Sequence, residues 1–298
     1  MTSGTADVPG FPRSVGQVRL TFMSDSWPDA PALAGTGLAL GYGGKPVVED
    51  AGLTLRSGTV TVLIGPNGSG KSTLLRALAR LHPLTAGDLT LTGKDARALS
   101  AKEFARQVTL LTQSRPTPGG VRVRDVVAYG RHPYRGRFGT GDPDGARLVE
   151  RAMRHTGVDA MADRPVDELS GGELQRVWLA TCFAQDTGVV LLDEPTTFLD
   201  LRYQIETLDL VRDLADEHRV AVGVVLHDLD QAAAVADEVV LLCRGTVRAT
   251  GRPADVLTSE LLSAVYGLRI DVDADEEGHV RTRPVGRHTT RRRPARSA

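Results

Sequence analysis

The sequence predicts an α/β fold, a mostly parallel sheet with helices on both faces. Short β-rich runs at 60–64, 189–192 and 220–226 are continuously apolar, as strands covered on both sides must be. Each is coupled to a helical pattern, beginning at Lys71, near Leu201 and at Asp228. The third observation is bulk. With 298 residues and 41% apolar content the chain buries a real core, yet no apolar run exceeds about seven residues, too few to cross a bilayer.

Residues 1 to about 34 are rich in Gly, Pro, Ser and Asp with little periodicity, and read as an extension only partly packed on the rest of the chain. Regular structure is expected from near Leu38, within a globular unit read as 35–283. Both ends of that unit lean β: 38–42 and 87–92 near its start, and a hairpin at 239–249 turned at Arg244 and Gly245. From about 117 to 184 the pattern is helical, broken by a Gly/Arg-rich loop at 130–139, and reads as a helical subdomain inserted into the sheet domain. An acidic stretch, 271–277, and the basic segment 284–298 read as solvated; the last sixteen residues hold six arginines and no acid.

A formal net charge of -1 gives no global field for nucleic acid or an anionic membrane. The first residues lack a basic region followed by a long apolar stretch, so a cytoplasmic compartment is expected. Cys182 and Cys243 fall in apolar segments without CxxC spacing and read as buried free thiols.

The chemistry begins where the first strand ends. Gly65-Pro66-Asn67-Gly68-Ser69-Gly70-Lys71-Ser72-Thr73 fits G-x-x-x-x-G-K-[ST], after an apolar strand and opening a helix. Its glycines let successive amides face the β- and γ-phosphates of a nucleoside triphosphate, Lys71 adds a point charge, and Ser72 offers an oxygen to Mg²⁺. The run 189–192 ends in Asp193 and Glu194, at the sheet edge where α/β proteins hold ligands. Because side chains alternate along a strand, the two acids need not share a task. Asp193 is expected to hold Mg²⁺ through water, and Glu194 to orient or deprotonate the attacking water. The run 220–226 delivers His227 to the same edge, where it could sense the γ-phosphate or the lytic water. In isolation two surface acids or a lone histidine would be ordinary; beside a phosphate cradle they are not.

A second anion-binding helix start lies at Leu169-Ser170-Gly171-Gly172-Glu173: a hydroxyl cap, two glycines open to a phosphate, then free amides at the positive end of a helix. Together with 65–73, Asp193, Glu194 and His227, the segment 168–180 makes the chain resemble an ATP-binding cassette (ABC) ATPase over about residues 36–283. The resemblance implies a P-loop core with an antiparallel β-subdomain and an inserted helical signature subdomain. It also implies head-to-tail pairs in which Ser170, Gly171, Gly172 and Glu173 close on the γ-phosphate held by Lys71 of a second copy. By matching motif, Tyr42 resembles the aromatic on which adenine stacks. Gln113 matches the glutamine that touches Mg²⁺ where a membrane partner docks, and Asp200 the aspartate that crosses the pair interface. Phe198 stands where many such ATPases carry a small residue.

Phrases at 130–138, 164–172, 195–206, 226–232 and 261–268 are similar to the ATPase subunits of importers for ferric siderophores, haem and cobalamin, the siderophore branch matching best. The resemblance therefore implies ATP and Mg²⁺ as ligands. The implied partners are a second copy, transmembrane permease subunits and, indirectly, an extracytoplasmic substrate-binding protein, with the chain peripheral at the cytoplasmic face of the membrane. Importers of cobalamin, haem or metal ions are the alternative, and a soluble non-transport ABC ATPase the more distant one. A P-loop kinase or GTPase would have no use for the segment 169–173.

Overall fold

In the computed structural model, which describes residues 20–21, 31–113, 119–136, 141–275 and 279–286, the apolar runs lie side by side. In chain order the strands are β1 (Leu20–Thr21), β2 (Pro31–Tyr42), β3 (Lys45–Arg56), β4 (Val60–Ile64), β5 (Ala86–Leu91), β6 (Lys94–Asp95) and β7 (Val108–Leu111). They continue as β8 (Val189–Asp193), β9 (Ala221–Val225), β10 (Glu238–Cys243), β11 (Thr246–Gly251), β12 (Ile270–Ala274) and β13 (Val280–Pro284). The helices are α1 (Lys71–Leu78), α2 (Ala101–Ala105), α3 (Val123–Val127), α4 (Gly145–His155), α5 (Gly171–Gln185), α6 (Leu201–Asp216), α7 (Leu229–Val235), α8 (Pro253–Val256) and α9 (Ser259–Tyr266).

The main sheet runs β1-β11-β10-β4-β9-β8-β7. Its centre is parallel, and only the β10–β11 hairpin reverses direction. Every residue of β4, β8 and β9 is buried, as continuous apolarity requires. One face is covered by α6 to α9 through Leu208, Val211, Ala232, Val235, Val256 and Leu262. The other is covered by α1 and the antiparallel sheet β3-β2-β5-β6. On α1, Leu74, Leu75 and Leu78 are fully buried, each contributing about 1.5–3 kcal/mol through the apolar surface removed from water.

Three sequence expectations change in the strands. Strand β2 begins at Pro31 rather than near Leu38, because Leu33 and Ala34 pair with both β3 and β5 and Leu33 is 1% exposed. Leu20 and Thr21, inside the expected extension, form a parallel rung with β11; residues 1–19 and 22–30 lie outside the described residues. The acidic stretch is not wholly solvated chain: β12 pairs antiparallel with β13, Asp271 takes Arg269 and Arg283 at 2.8 and 2.9 Å, and Thr282 ties the hairpin to Asp230 of α7. The basic tail from 287 onward lies outside the described residues.

Helices α3, α4 and α5 pack on one another around Val123, Val126, Ala152, Met153, Val177 and Ala180. Within the expected Gly/Arg-rich loop, Ala128–Tyr134 is instead a 3₁₀ helix, and residues 137–140 lie outside the described residues. The reason is Arg131, only 4% exposed, which ties this turn to Asp142 and to the end of α5. Among the described residues no helix is long and apolar enough to cross a membrane.

Candidate nucleotide site

The loop between β4 and α1 wraps tightly because two positions exclude a side chain. Gly65 has φ 143°, and a Cβ there would lie 1.9 Å from the Leu242 carbonyl oxygen; Gly70 has φ 102°, and its Cβ would meet Val48 at 2.7 Å. The loop is thus clamped between the main sheet and β3, with Asn67 and Gly68 exposed at its tip and Pro66 half-buried. Ser69 is buried, its carbonyl accepting from Gly245 N–H at 3.0 Å. Gly70 offers no side-chain cap, so the first amides of α1, from Lys71 through Ser72 and Thr73, open toward the loop. Lys71 folds back across it, Nζ donating to the carbonyls of Gly65 at 2.8 Å and Pro66 at 3.1 Å. Burial pulls its pKa down, against the opposing pull of Glu194 and Asp193. Burial pushes the hydroxyl of Tyr266, on α9, up to about 12, against the opposing pull of the nearby Gly65 backbone.

Asp193 and Glu194 part company as strand alternation demands. Asp193 is 1% exposed; its Oδ1 accepts from Ser72 Oγ at 2.7 Å. Its Oδ2 is buried without a hydrogen-bond partner, the Arg76 guanidinium standing 3.9 Å away. Burial pushes the Asp193 carboxyl up, opposed by the Ser72 hydroxyl. An orphaned carboxylate oxygen beside a serine hydroxyl is the hard oxygen set that a small dication such as Mg²⁺ takes, so these residues fit that ion.

Glu194 leaves the strand at φ 53°, a left-handed backbone uncommon for a residue with a Cβ. Its carboxylate is gripped from both sides: Oε2 accepts from Gln113 Nε2 at 2.5 Å and Thr197 Oγ1 at 3.3 Å, while His227 Nε2 lies 2.5 Å from Oε1. Gln113 and His227, expected from separate stretches, therefore converge on the Glu194 carboxylate. Gln113 meets Glu194 here through its amide nitrogen. Such a carboxylate, oriented by a histidine and a glutamine, can take a proton from a water in front of it.

The helix start expected at 169–173 is also present. Ser170 caps α5 and Glu173 caps it in return, Ser170 N–H donating to Glu173 Oε2 at 2.8 Å and Glu173 N–H to Ser170 Oγ at 3.4 Å. The Ser170 backbone bond holds the Glu173 carboxyl below the usual range. The two glycines differ. Around Gly171 a Cβ would meet nothing within 4 Å, whereas at Gly172 it would strike the Tyr203 ring at 2.4 Å. Tyr203 in turn donates its N–H at 3.0 Å to Asp200, the cap of α6. Tyr42 ends β2 half-exposed, its ring 4.5 Å from that of His82. Among the described residues no hydrogen bond joins 170–173 to 65–73. Thr197, Tyr203 and Arg76 escaped sequence reasoning; only the offsets Glu194 to Thr197 and Asp200 to Tyr203, each one turn, hinted at any of them.

Residues 48–197 match the family model described as ABC transporter. The chain is 43% identical over 248 residues to the achromobactin transport ATP-binding protein CbrD of Dickeya dadantii, covering 83% of this chain and 92% of that protein. It is 41% identical over 256 residues to the ferric enterobactin transport ATP-binding protein FepC of Escherichia coli, covering 86% and 94%. It is 45% identical over 240 residues to the cobalamin import ATP-binding protein BtuD of Halobacterium salinarum, covering 80% of this chain and 60% of that protein. A solved inward-facing structure of a metal-chelate type ABC transporter superposes with a TM-score of 0.75 at 26% identity, over 87% of this chain and 99% of that one. With its cradle, paired strand acids and capped signature helix in place, the chain belongs to the ABC transporter ATP-binding family and binds nucleotide.

Proposed function

We propose that this chain is the ATP-hydrolysing, energy-coupling subunit of an importer for ferric siderophores. The observation that carries the catalytic part is the convergence of Gln113, Thr197 and His227 on the carboxylate of Glu194, beside an Asp193 that meets the cradle's Ser72. ATP would lie with its phosphates along 65–73 and against Lys71, its adenine on Tyr42. Ser72 and Asp193 would hold Mg²⁺, which when bound neutralises charge on the β- and γ-phosphates. Glu194 would deprotonate or orient the attacking water, and His227, hydrogen-bonded to that carboxylate, would fix its direction.

Ser170, Gly171, Gly172 and Glu173 would complete the site in a second copy, with Asp200 at the pair interface. The open space around Gly171 and the absence of a link between 170–173 and 65–73 among the described residues of one chain support this reading. ATP then joins the pair and loss of phosphate releases it. Gln113, whose amide touches Glu194, would carry the state of the site to permease subunits that hold the chain at the cytoplasmic face of the membrane, with an extracytoplasmic binding protein delivering cargo. The named cargoes of relatives support a siderophore, and the overall charge gives no reason to invoke nucleic acid.

The test has two arms. Glu194→Gln should retain ATP binding while turnover falls about 100-fold or more; unchanged hydrolysis removes Glu194 from its role. Membranes carrying the co-purifying permease should take up labelled ferric siderophore on ATP addition. Uptake of cobalamin or haem in its place refutes the cargo assignment and leaves the ATPase reading intact.

A further inference from the structure

The chain carries a second place suited to a cation, at the opposite edge of the main sheet from the nucleotide site. His155, the last residue of α4, and His218, just past the end of α6, bring their Nε2 atoms to 3.2 Å, with ring centroids 4.9 Å apart and the planes at 74°. Two neutral imidazoles in this pose can share one proton only if they take up complementary tautomers. The same separation also suits a metal. Zinc–imidazole bonds of 2.0–2.1 Å at a tetrahedral angle put ligand nitrogens roughly 3.3 Å apart.

We propose that His155 and His218 form a two-imidazole seat for a late first-row divalent cation, Zn²⁺ in the first instance, clamping the inserted helical unit to the sheet unit. Three further features favour a cation at this point. The C-terminal ends of α4 and α6 meet here, and each carries the partial negative charge of its helix dipole. The pair borders a cavity of about 210 Å³ between the two units, whose wall includes Asp186 from the α5–β8 turn and Asp213 from α6. The positive group in that wall, Arg151 of α4, is already paired with Asp186 at 2.5 Å. Arg154 beside His155 faces Glu150 at 3.8 Å, and Glu217 and Arg219 flank His218.

Among the described residues no cluster of three or more His, Cys, Asp or Glu is arranged to hold a metal, so the remaining positions belong to water. That open coordination predicts a reversible, exchangeable ion rather than a structural one. Imidazole ligation selects zinc or copper over magnesium or calcium, which seek oxygen. The seat lies at the start of β8 and before β9, about 13 Å along the strand from Asp193, so it stands independently of the nucleotide reading.

The test uses the full chain, stripped with chelator and held in excess Mg²⁺ to occupy oxygen sites, with Zn²⁺ titrated against a chromophoric zinc indicator. One zinc per chain is expected, weakened at least about tenfold by either His155→Ala or His218→Ala. Both residues are exposed, so neither change should unfold the protein. Zinc should also raise the Tm of the wild type and not of the variants. A wild type that binds no zinc, or single variants that bind it as tightly and are stabilised as much, overturns the proposal.

Discussion

Replacing Arg131 with methionine tests whether a buried ion pair holds the helical unit together. The guanidinium is 4% exposed, donates to both oxygens of Asp142 at 2.8 and 2.9 Å, and stacks 3.7 Å from the Tyr134 ring centroid. It also donates to the carbonyls of Ala184 at 2.9 Å and Gln185 at 3.2 Å, in the last turn of α5 where the helix itself supplies no donors. Arg131→Met leaves a largely buried carboxylate unpaired. Breaking a buried pair from one side costs about 3–5 kcal/mol, and the lost cation–π stacking belongs within that range. Urea unfolding at neutral pH should show this as a lower midpoint with unchanged slope. Adding Asp142→Leu to Arg131→Met removes the stranded charge and should recover about 1–3 kcal/mol relative to additive losses. The pair also sets an acid response. The Arg131 bonds hold the Asp142 carboxyl below its usual range. The contribution is therefore fully present above the unfolded carboxylate value and is lost as pH falls through the lower folded one. Stability of wild type relative to Asp142→Asn should stay flat down to about pH 5 and shrink only below it. A loss under about 1 kcal/mol for Arg131→Met would show the pair to be structurally idle.

Gly172→Ala should cost about 1–3 kcal/mol by forcing its Cβ into the Tyr203 ring 2.4 Å away, and Tyr203→Leu should relieve part of it; thermal unfolding of the single and double variants decides. Ser170→Arg should leave nucleotide binding to the isolated subunit largely intact yet abolish ATP-driven pairing, read by size-exclusion chromatography in a Glu194→Gln background. A dimer peak that persists there would contradict the proposed second half-site.

The parallel strands and the phosphate loop were legible in one dimension because each is a local pattern. A run such as 60–64 declares burial on both faces by its own composition, and the loop after it declares phosphate by the spacing of three glycines and a lysine. The three strand-end residues Asp193, Glu194 and His227 were legible for the same reason: a parallel sheet sends every strand terminus to one edge. The start of β2 was not, because Ala34 is read as strand only once Thr54 and Thr90 supply its two neighbours. Nor was Arg131, which in sequence belongs to a polar loop and in space fills the end of α5.

What the sequence determined unaided is the inventory of candidate phosphate-binding and acid–base groups and the α/β order that brings them to one side. Only the tertiary structure decided how each is held: that Glu194 turns through a left-handed backbone into the grip of Gln113 and His227, that Asp193 keeps one oxygen unpaired beside Ser72, and that Gly172 is small for the sake of Tyr203 while Gly171 stands open. The physical reason is range. Strand and helix periodicities act over a few residues, whereas these contacts join residues separated by about thirty to more than a hundred positions, whose meeting depends on the packing of the whole sheet and its covering helices.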